Sequence, residues 1–266
     1  MTTNAATATL YAREPVPTAP ASTPPRLTRL ARIELRKAVD TRAGRWLLAV
    51  IALVAVITAA VASLAGQDSG HTLRHILSNT ASFTSLLLPV LGVLLVTSEW
   101  SQRTALTTFT LVPRRRRVIA AKIIAGIALS LAAAVVCAGL ALAGAALATH
   151  GSAHDTWHAA GSAIVYSVLY QALNVLLGIG FGLVFLNTPF AIVFYFVLPT
   201  AWGILTSSAH ALNSTGDWLD PTTAWGHLTD ATMTGTTWAQ VAAATAVWVL
   251  LLLAIGTARV LRKAVS

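Results

Sequence analysis

The stretch that decides the fold is "WLLAVIALVAVITAAVASLA", residues 46–65, twenty positions without a charged side chain. About 20 apolar residues is the length a helix needs to cross the hydrocarbon core of a bilayer. Further such runs follow. The uncharged stretch between Arg74 and Glu99, centred on "SLLLPVLGVLLV", gives a second span, and residues 123–148 a third. No charge occurs between Asp155 and Asp217, which is too long for one helix. The breaker "NTP", residues 187–189, divides it, because proline disfavours helix at the residue before it. A fourth span is therefore expected near 159–186, a fifth near 190–207, and a sixth at 238–258. Composition agrees: the 266 residues are 56% hydrophobic and only 10% charged, with a mean hydropathy of +0.71. A soluble domain carries about 25% charged residues. A membrane barrel would need alternating segments of ~10 residues, a pattern this chain lacks. The expected fold is an all-α integral membrane protein with six transmembrane helices.

Basic residues give the orientation, since Lys and Arg stay on the cytoplasmic side of short loops. With six spans, seventeen of the eighteen basic residues fall on one side, and only Arg74 on the other. Asp68, Asp155, Asp217, Asp220 and Asp230 lie opposite them. Both termini are expected in the cytoplasm. The net charge of +9 is thus an orientation signal beside hydrophobic spans. A nucleic-acid footprint would need a soluble basic face with stacking aromatics, so no nucleic-acid partner is expected.

Ahead of the first span, residues 1–25 are rich in Thr, Ala and Pro and are expected to be disordered. They lack a basic segment followed by an apolar core, so the first span is expected to act as an uncleaved insertion signal. Residues 26–45, "RLTRLARIELRKAVDTRAGR", form an amphipathic pattern. Arg26, Arg29, Arg32, Arg36 and Lys37 share one side, while Leu27, Leu30, Ala31, Leu35, Ala38 and Val39 share the other. Such a helix lies in the membrane interface with its basic face toward anionic headgroups. The six-span unit occupies 46–266.

Between the second and third spans lies "EWSQRTALTTFTLVPRRRRVIAAK", residues 99–122. It is too short for a domain and long enough for one short helix and a turn. From Arg103 to Val112, Leu106, Phe109 and Val112 recur at three-residue steps on one side of a helix, which Pro113 ends. An exposed helix with Phe109 at its tip suits docking into a partner's groove. Fully covered, Leu106 and Phe109 would contribute about 1.5–3 kcal/mol each. Arg114, Arg115, Arg116, Arg117 and Lys122 then hold the loop on the cytoplasmic side.

At these residues the chain resembles the membrane (permease) subunits of ATP-binding-cassette (ABC) transporters of the type-2 exporter class. The resemblance rests on Glu99, Trp100, Arg103, Thr104, Phe109, Pro113, the four arginines and Lys122. By topology it covers most of the chain from Arg26 onward, and by motif the 99–122 loop alone. Arg103 departs from the small residue usual before the Thr. The resemblance implies that 99–122 carries a coupling helix seated on an ATPase subunit, through Glu99, Arg103, Thr104, Leu106, Phe109 and Pro113. It also implies a second permease subunit, in a homodimer or heterodimer, and a location in a bacterial plasma (inner) membrane. The chain contains no G-x-x-x-x-G-K-[ST] phosphate loop. It is therefore expected to be no enzyme and to bind no cofactor, with ATP and Mg used by the partner.

In the fourth span, Tyr166, Tyr170 and Asn174 recur every four residues on one side. An Asn in hydrocarbon needs a polar partner, so this stripe is expected to line a substrate path or a dimer seam, or to bond between helices. His150, His154 and His158 are spaced for a shared metal, but Gly151 interrupts the pattern and interfacial filler is the plainer account. No metal site is expected. Cys137 is expected to be a packing residue. Trp218, Trp225 and Trp238 are expected as anchors at the lipid boundary. Two other classes fit less well. A non-transporting sensor or assembly scaffold needs only the six spans. An intramembrane protease needs a serine or paired aspartates within spans, and neither Asp nor Glu is expected there.

Overall fold

The computed structural model describes residues 26–64, 73–102, 115–148, 160–208, 213–229 and 233–262. Among them every regular element is helical, and six helices are long and apolar enough to span a membrane. Helix α1 (Leu27–Asp40) precedes the first span, α2 (Arg42–Leu64). Extended backbone at Thr41 separates the two, and the Thr41 hydroxyl accepts the Gly44 N–H at 3.1 Å. The reversal requires glycine at 44, where a Cβ would collide with the Ala38 carbonyl. The next spans are α3 (Leu73–Ser101), α4 (Arg115–Ala148), α5 (Ala160–Phe185) and α6 (Thr188–Ser208). Two short helices, α7 (Asn213–Leu219) and α8 (Pro221–Gly226), precede the last span. That span begins as α9 (Gly235–Thr245), passes through a π-helical turn (Ala246–Leu250), and ends as α10 (Leu251–Arg262).

Several spans run past their expected ends: α2 takes in residues 42–45, so the interfacial helix expected over 26–45 stops at Asp40, and the last span covers Gly235–Arg262 rather than 238–258. α3 continues through Glu99 to Ser101, and α4 begins at Arg115, eight residues before the expected start of the third span. Glu99 and Lys122 thus sit inside the helices rather than in the loop, so the expectation that no span holds an acidic residue is corrected. Both continue because their charges find partners, described below.

The break between α5 and α6 is shorter than expected. Leu186 adopts a left-handed conformation (φ 54°) and closes α5 through its N–H to the Gly182 carbonyl at 2.9 Å. Asn187 then accepts the Phe190 N–H at 3.3 Å and starts α6. Pro189 falls in the first turn, where a missing N–H costs nothing. Burying Leu186 among apolar neighbours offsets the cost of a left-handed non-glycine residue.

α3 and α5 form the centre of the bundle, while α2, α6 and the last span expose most of their side chains. The central pair approaches closely because glycines face backbone. A Cβ at Gly92 would lie 2.7 Å from the Val175 carbonyl oxygen, and one at Gly178 would strike the Pro89 carbonyl. Without a hydrophobic drive between helices in lipid, such close packing is the main source of association. Outer faces carry exposed Leu53, Val61, Val193 and Val197, as lipid contact requires.

Trp225 is not a boundary anchor. It is buried, and its indole N–H donates to the Thr245 hydroxyl at 3.2 Å. Asp220 directs it there by capping α8, accepting the N–H groups of Thr222 and Thr223 at 3.1 and 3.4 Å. Trp248, in the π-helical turn, donates to the Leu219 carbonyl at 2.6 Å. Trp218 and Trp238 remain exposed.

Candidate functional site

At one end of the bundle, two carboxylates and two ammonium groups close into a ring. Glu34 of α1 reaches Lys37 at 2.9 Å through Oε1 and Lys122 of α4 at 2.6 Å through Oε2. Glu99 of α3 reaches the same two lysines, Lys37 at 2.8 Å and Lys122 at 3.3 Å. The third Lys122 donor goes to the Leu95 carbonyl at 2.7 Å. Three hydrogen bonds are all an ammonium group can donate, so Lys122 is saturated. Glu34, Glu99 and Lys122 are buried, and only the Lys37 side chain, 45% exposed, reaches solvent. A buried charge is tolerable only when paired and hydrogen-bonded, and here both carboxylates have two cationic partners.

The local sequence explains the arrangement. Along α1 the positions turned to the protein include Leu27, Leu30, Ala31, Glu34, Leu35 and Ala38. Glu34 therefore falls on the apolar stripe of a basic helix. Leu35 and Ala38 pack against Leu95, Ala125 and Leu129, which brings the carboxylate over the last turns of α3 and the first turns of α4. Lys37 was expected to face headgroups; it turns inward instead. Burial alone would lower the Lys37 pKa, but its hydrogen bonds to Glu99 and Glu34, with their charges, hold it above the ordinary 10.5. For a group raised in the folded state, the stabilisation is fully present below the unfolded value and is lost only as pH rises through the folded one. Thermal unfolding should therefore show no loss from Lys37 between pH 7 and about 9, well below the ordinary lysine range. A Lys37→Met variant unfolding with the same temperature at both pH values and at pH 11 as the parent would contradict this.

The ring stands where the chain leaves α3 for residues 103–114 and where it returns in α4. Other parts of the chain meet at this end. The Thr188 hydroxyl, at the start of α6, lies 2.8 Å from the Thr97 hydroxyl and 3.1 Å from that of Ser101. The Arg115 guanidinium donates to the Val260 carbonyl of α10 at 3.1 Å. Of the expected docking residues, Glu99 lies in the ring, while Arg103, Thr104, Leu106, Phe109 and Pro113 fall outside the described residues.

Within the bundle, Tyr170 and Asn174 meet as their spacing suggested, but Tyr166 does not join them. Tyr166 packs edge-on against Trp238, with ring centroids 5.8 Å apart. Asn174 donates to the Tyr170 carbonyl at 2.9 Å and accepts from the Tyr195 hydroxyl at 3.5 Å. The Tyr170 hydroxyl lies 3.2 Å from Ser85 Oγ. These residues line a cavity of about 130 Å³ between α3, α5, α6 and α8. Cys137 is buried as a packing residue, 3.6 Å from the Thr84 hydroxyl. His150, His154 and His158 fall outside the described residues, and among those described no group of three metal-ligating side chains occurs.

Lys122 belongs to the 99–122 motif, whereas Glu34, Lys37, Ser85 and Tyr195 are not site residues in the sequence reading. Glu34 carried a signal, as an acid on an apolar stripe. Ser85 and Tyr195 carried none, because only the crossing of helices brings them together. Neither a family model nor a curated protein matches the sequence.

Proposed function

We propose that this chain is the permease subunit of an ATP-driven exporter, working as a dimer in a plasma membrane and powered by a separate ATPase subunit. The observation that carries this function is the ion-pair ring, which ties the interfacial helix to both helices flanking residues 103–114. The ring braces three elements where the chain enters and leaves residues 103–114, the place at which a partner's push would be delivered. Support also comes from the charge distribution. Arg26, Arg29, Arg32, Arg36, Arg116, Arg259 and Arg262 belong to the helix ends gathered around the ring, the end that positive-inside sorting would hold in the cytoplasm.

In this mechanism ATP and Mg bind the partner, and closure of the partner displaces the 103–112 segment. The ring makes α1 and the adjoining ends of α3 and α4 move as one body. The tight α3–α5 seam passes that movement to the remaining spans, opening the path alternately to either side. The test is co-purification from native membranes with the full-length chain as bait. A cassette ATPase bearing a phosphate-loop motif should accompany the parent protein. Phe109→Asp should remove it while leaving membrane insertion unchanged, since a charge replaces an apolar side chain proposed to dock. Absence of any such ATPase from the parent preparation would instead favour a membrane scaffold.

A further inference from the structure

We propose that the cavity beside Asn174 is a binding site for an uncharged amphiphile, one that presents a hydroxyl or carbonyl on a ring-sized apolar group. Three of its four walls come from membrane-spanning helices, and no charged side chain lines it. A charged ligand there would face hydrocarbon and neutral walls at a cost of several kcal/mol. A neutral one would not.

The polar side of the cavity is built from Ser85, Tyr170, Asn174 and Tyr195. Asn174 uses one N–H and one lone pair within the protein, and an amide offers two of each. Backbone adds to this side through two prolines. Pro89 in α3 and Pro199 in α6 cannot donate to the carbonyls four residues earlier, which are those of Ser85 and Tyr195. Both residues face this one cavity. The Ser85 carbonyl takes the Tyr195 hydroxyl at 3.5 Å, a long bond that a better donor could displace. Two helices thus surrender a ladder hydrogen bond at the same place, and the polar capacity they release points to a hydrogen-bonding ligand.

The opposite side is apolar, formed by Leu177, Phe196 and Trp225. Its volume of about 130 Å³ is close to that of an engineered apolar cavity, ~150 Å³, which holds benzene. One aromatic or alicyclic ring fits, with any longer tail leaving toward lipid past Leu86 and Thr200, which are exposed at the rim. Calling the ligand cargo rests on the exporter assignment above; the site itself stands on the cavity.

The test is photolabelling of the full-length chain in lipid nanodiscs with a diazirine-bearing benzyl alcohol, compared with the matching benzoate and benzylammonium. The neutral probe should label Leu177 and Phe196 saturably, and unlabelled benzyl alcohol should compete. Asn174→Leu should weaken labelling roughly fivefold, the effect of one lost hydrogen bond. Thr200→Trp, at the exposed rim, should block it while the protein still elutes as a single species. Equal labelling by the charged probes would overturn the proposal. So would labelling that is unsaturable, spread over lipid-facing Phe190 and Val193, or unchanged in both variants. The two assignments fail separately. Saturable labelling without a co-purifying ATPase leaves the site standing and removes the name cargo. An ATPase without labelling removes the site alone.

Discussion

Replacing Lys122 by methionine is expected to destabilise the folded protein by about 3–5 kcal/mol, the usual effect of removing one partner from a buried ion pair. Lys122 is the only lysine of the ring that is buried, and it touches both carboxylates. Without it the ring would keep two buried carboxylates and only one of its two ammonium groups, Lys37. The Leu95 carbonyl would lose its Lys122 donor as well. Charge balance, not the lysine itself, is the source of the effect, and a second substitution separates the two. Adding Glu34→Gln leaves Lys37 paired with Glu99, a neutral pair, and should restore most of the stability. Thermal unfolding in detergent, followed by size-exclusion elution, measures both variants. If the double variant were as unstable as Lys122→Met, packing of the lysine stem would be the cause and the ring's electrostatics would be secondary.

The second large effect is expected at Gly178. A side chain there meets the Pro89 carbonyl, which is backbone and cannot swing away. Gly178→Val should force α3 and α5 apart, costing about 3 kcal/mol, the upper end for inserting methyl groups into a packed core. The control is Gly139→Val on α4, where an added Cβ meets nothing within 4 Å. That variant should behave as the parent does. Equal yields of folded protein from the two variants would show that the central seam can open without loss.

Spans were legible in the sequence because the bilayer imposes a length and a hydropathy that any observer can count. Their ends were less so. Glu99 and Lys122 looked like loop residues because charge ordinarily marks the membrane boundary, and their pairing with Lys37, Glu34 and each other lets helix continue through them. Residues 166, 170 and 174 fell on one helical face by period alone, yet two line a cavity and the third meets Trp238. Period fixes a face, but the crossing of neighbouring helices decides what stands opposite each turn. Trp225 illustrates the same limit. Its type suggested the lipid boundary, and a capped two-turn excursion through Asp220 carried it inward.

One property of the ring bears on energetics across the whole membrane. Its two carboxylates and two ammonium groups sum to zero, and they move together if they move at all. Displacing a single charge through the membrane field takes about 2.3 kcal/mol per 100 mV, so a stroke carried by an unbalanced lysine would be assisted or opposed by voltage. A stroke carried by a balanced quartet is not. The ring as a unit is therefore neutral, and its own displacement would couple to the membrane potential far less than that of a lone lysine.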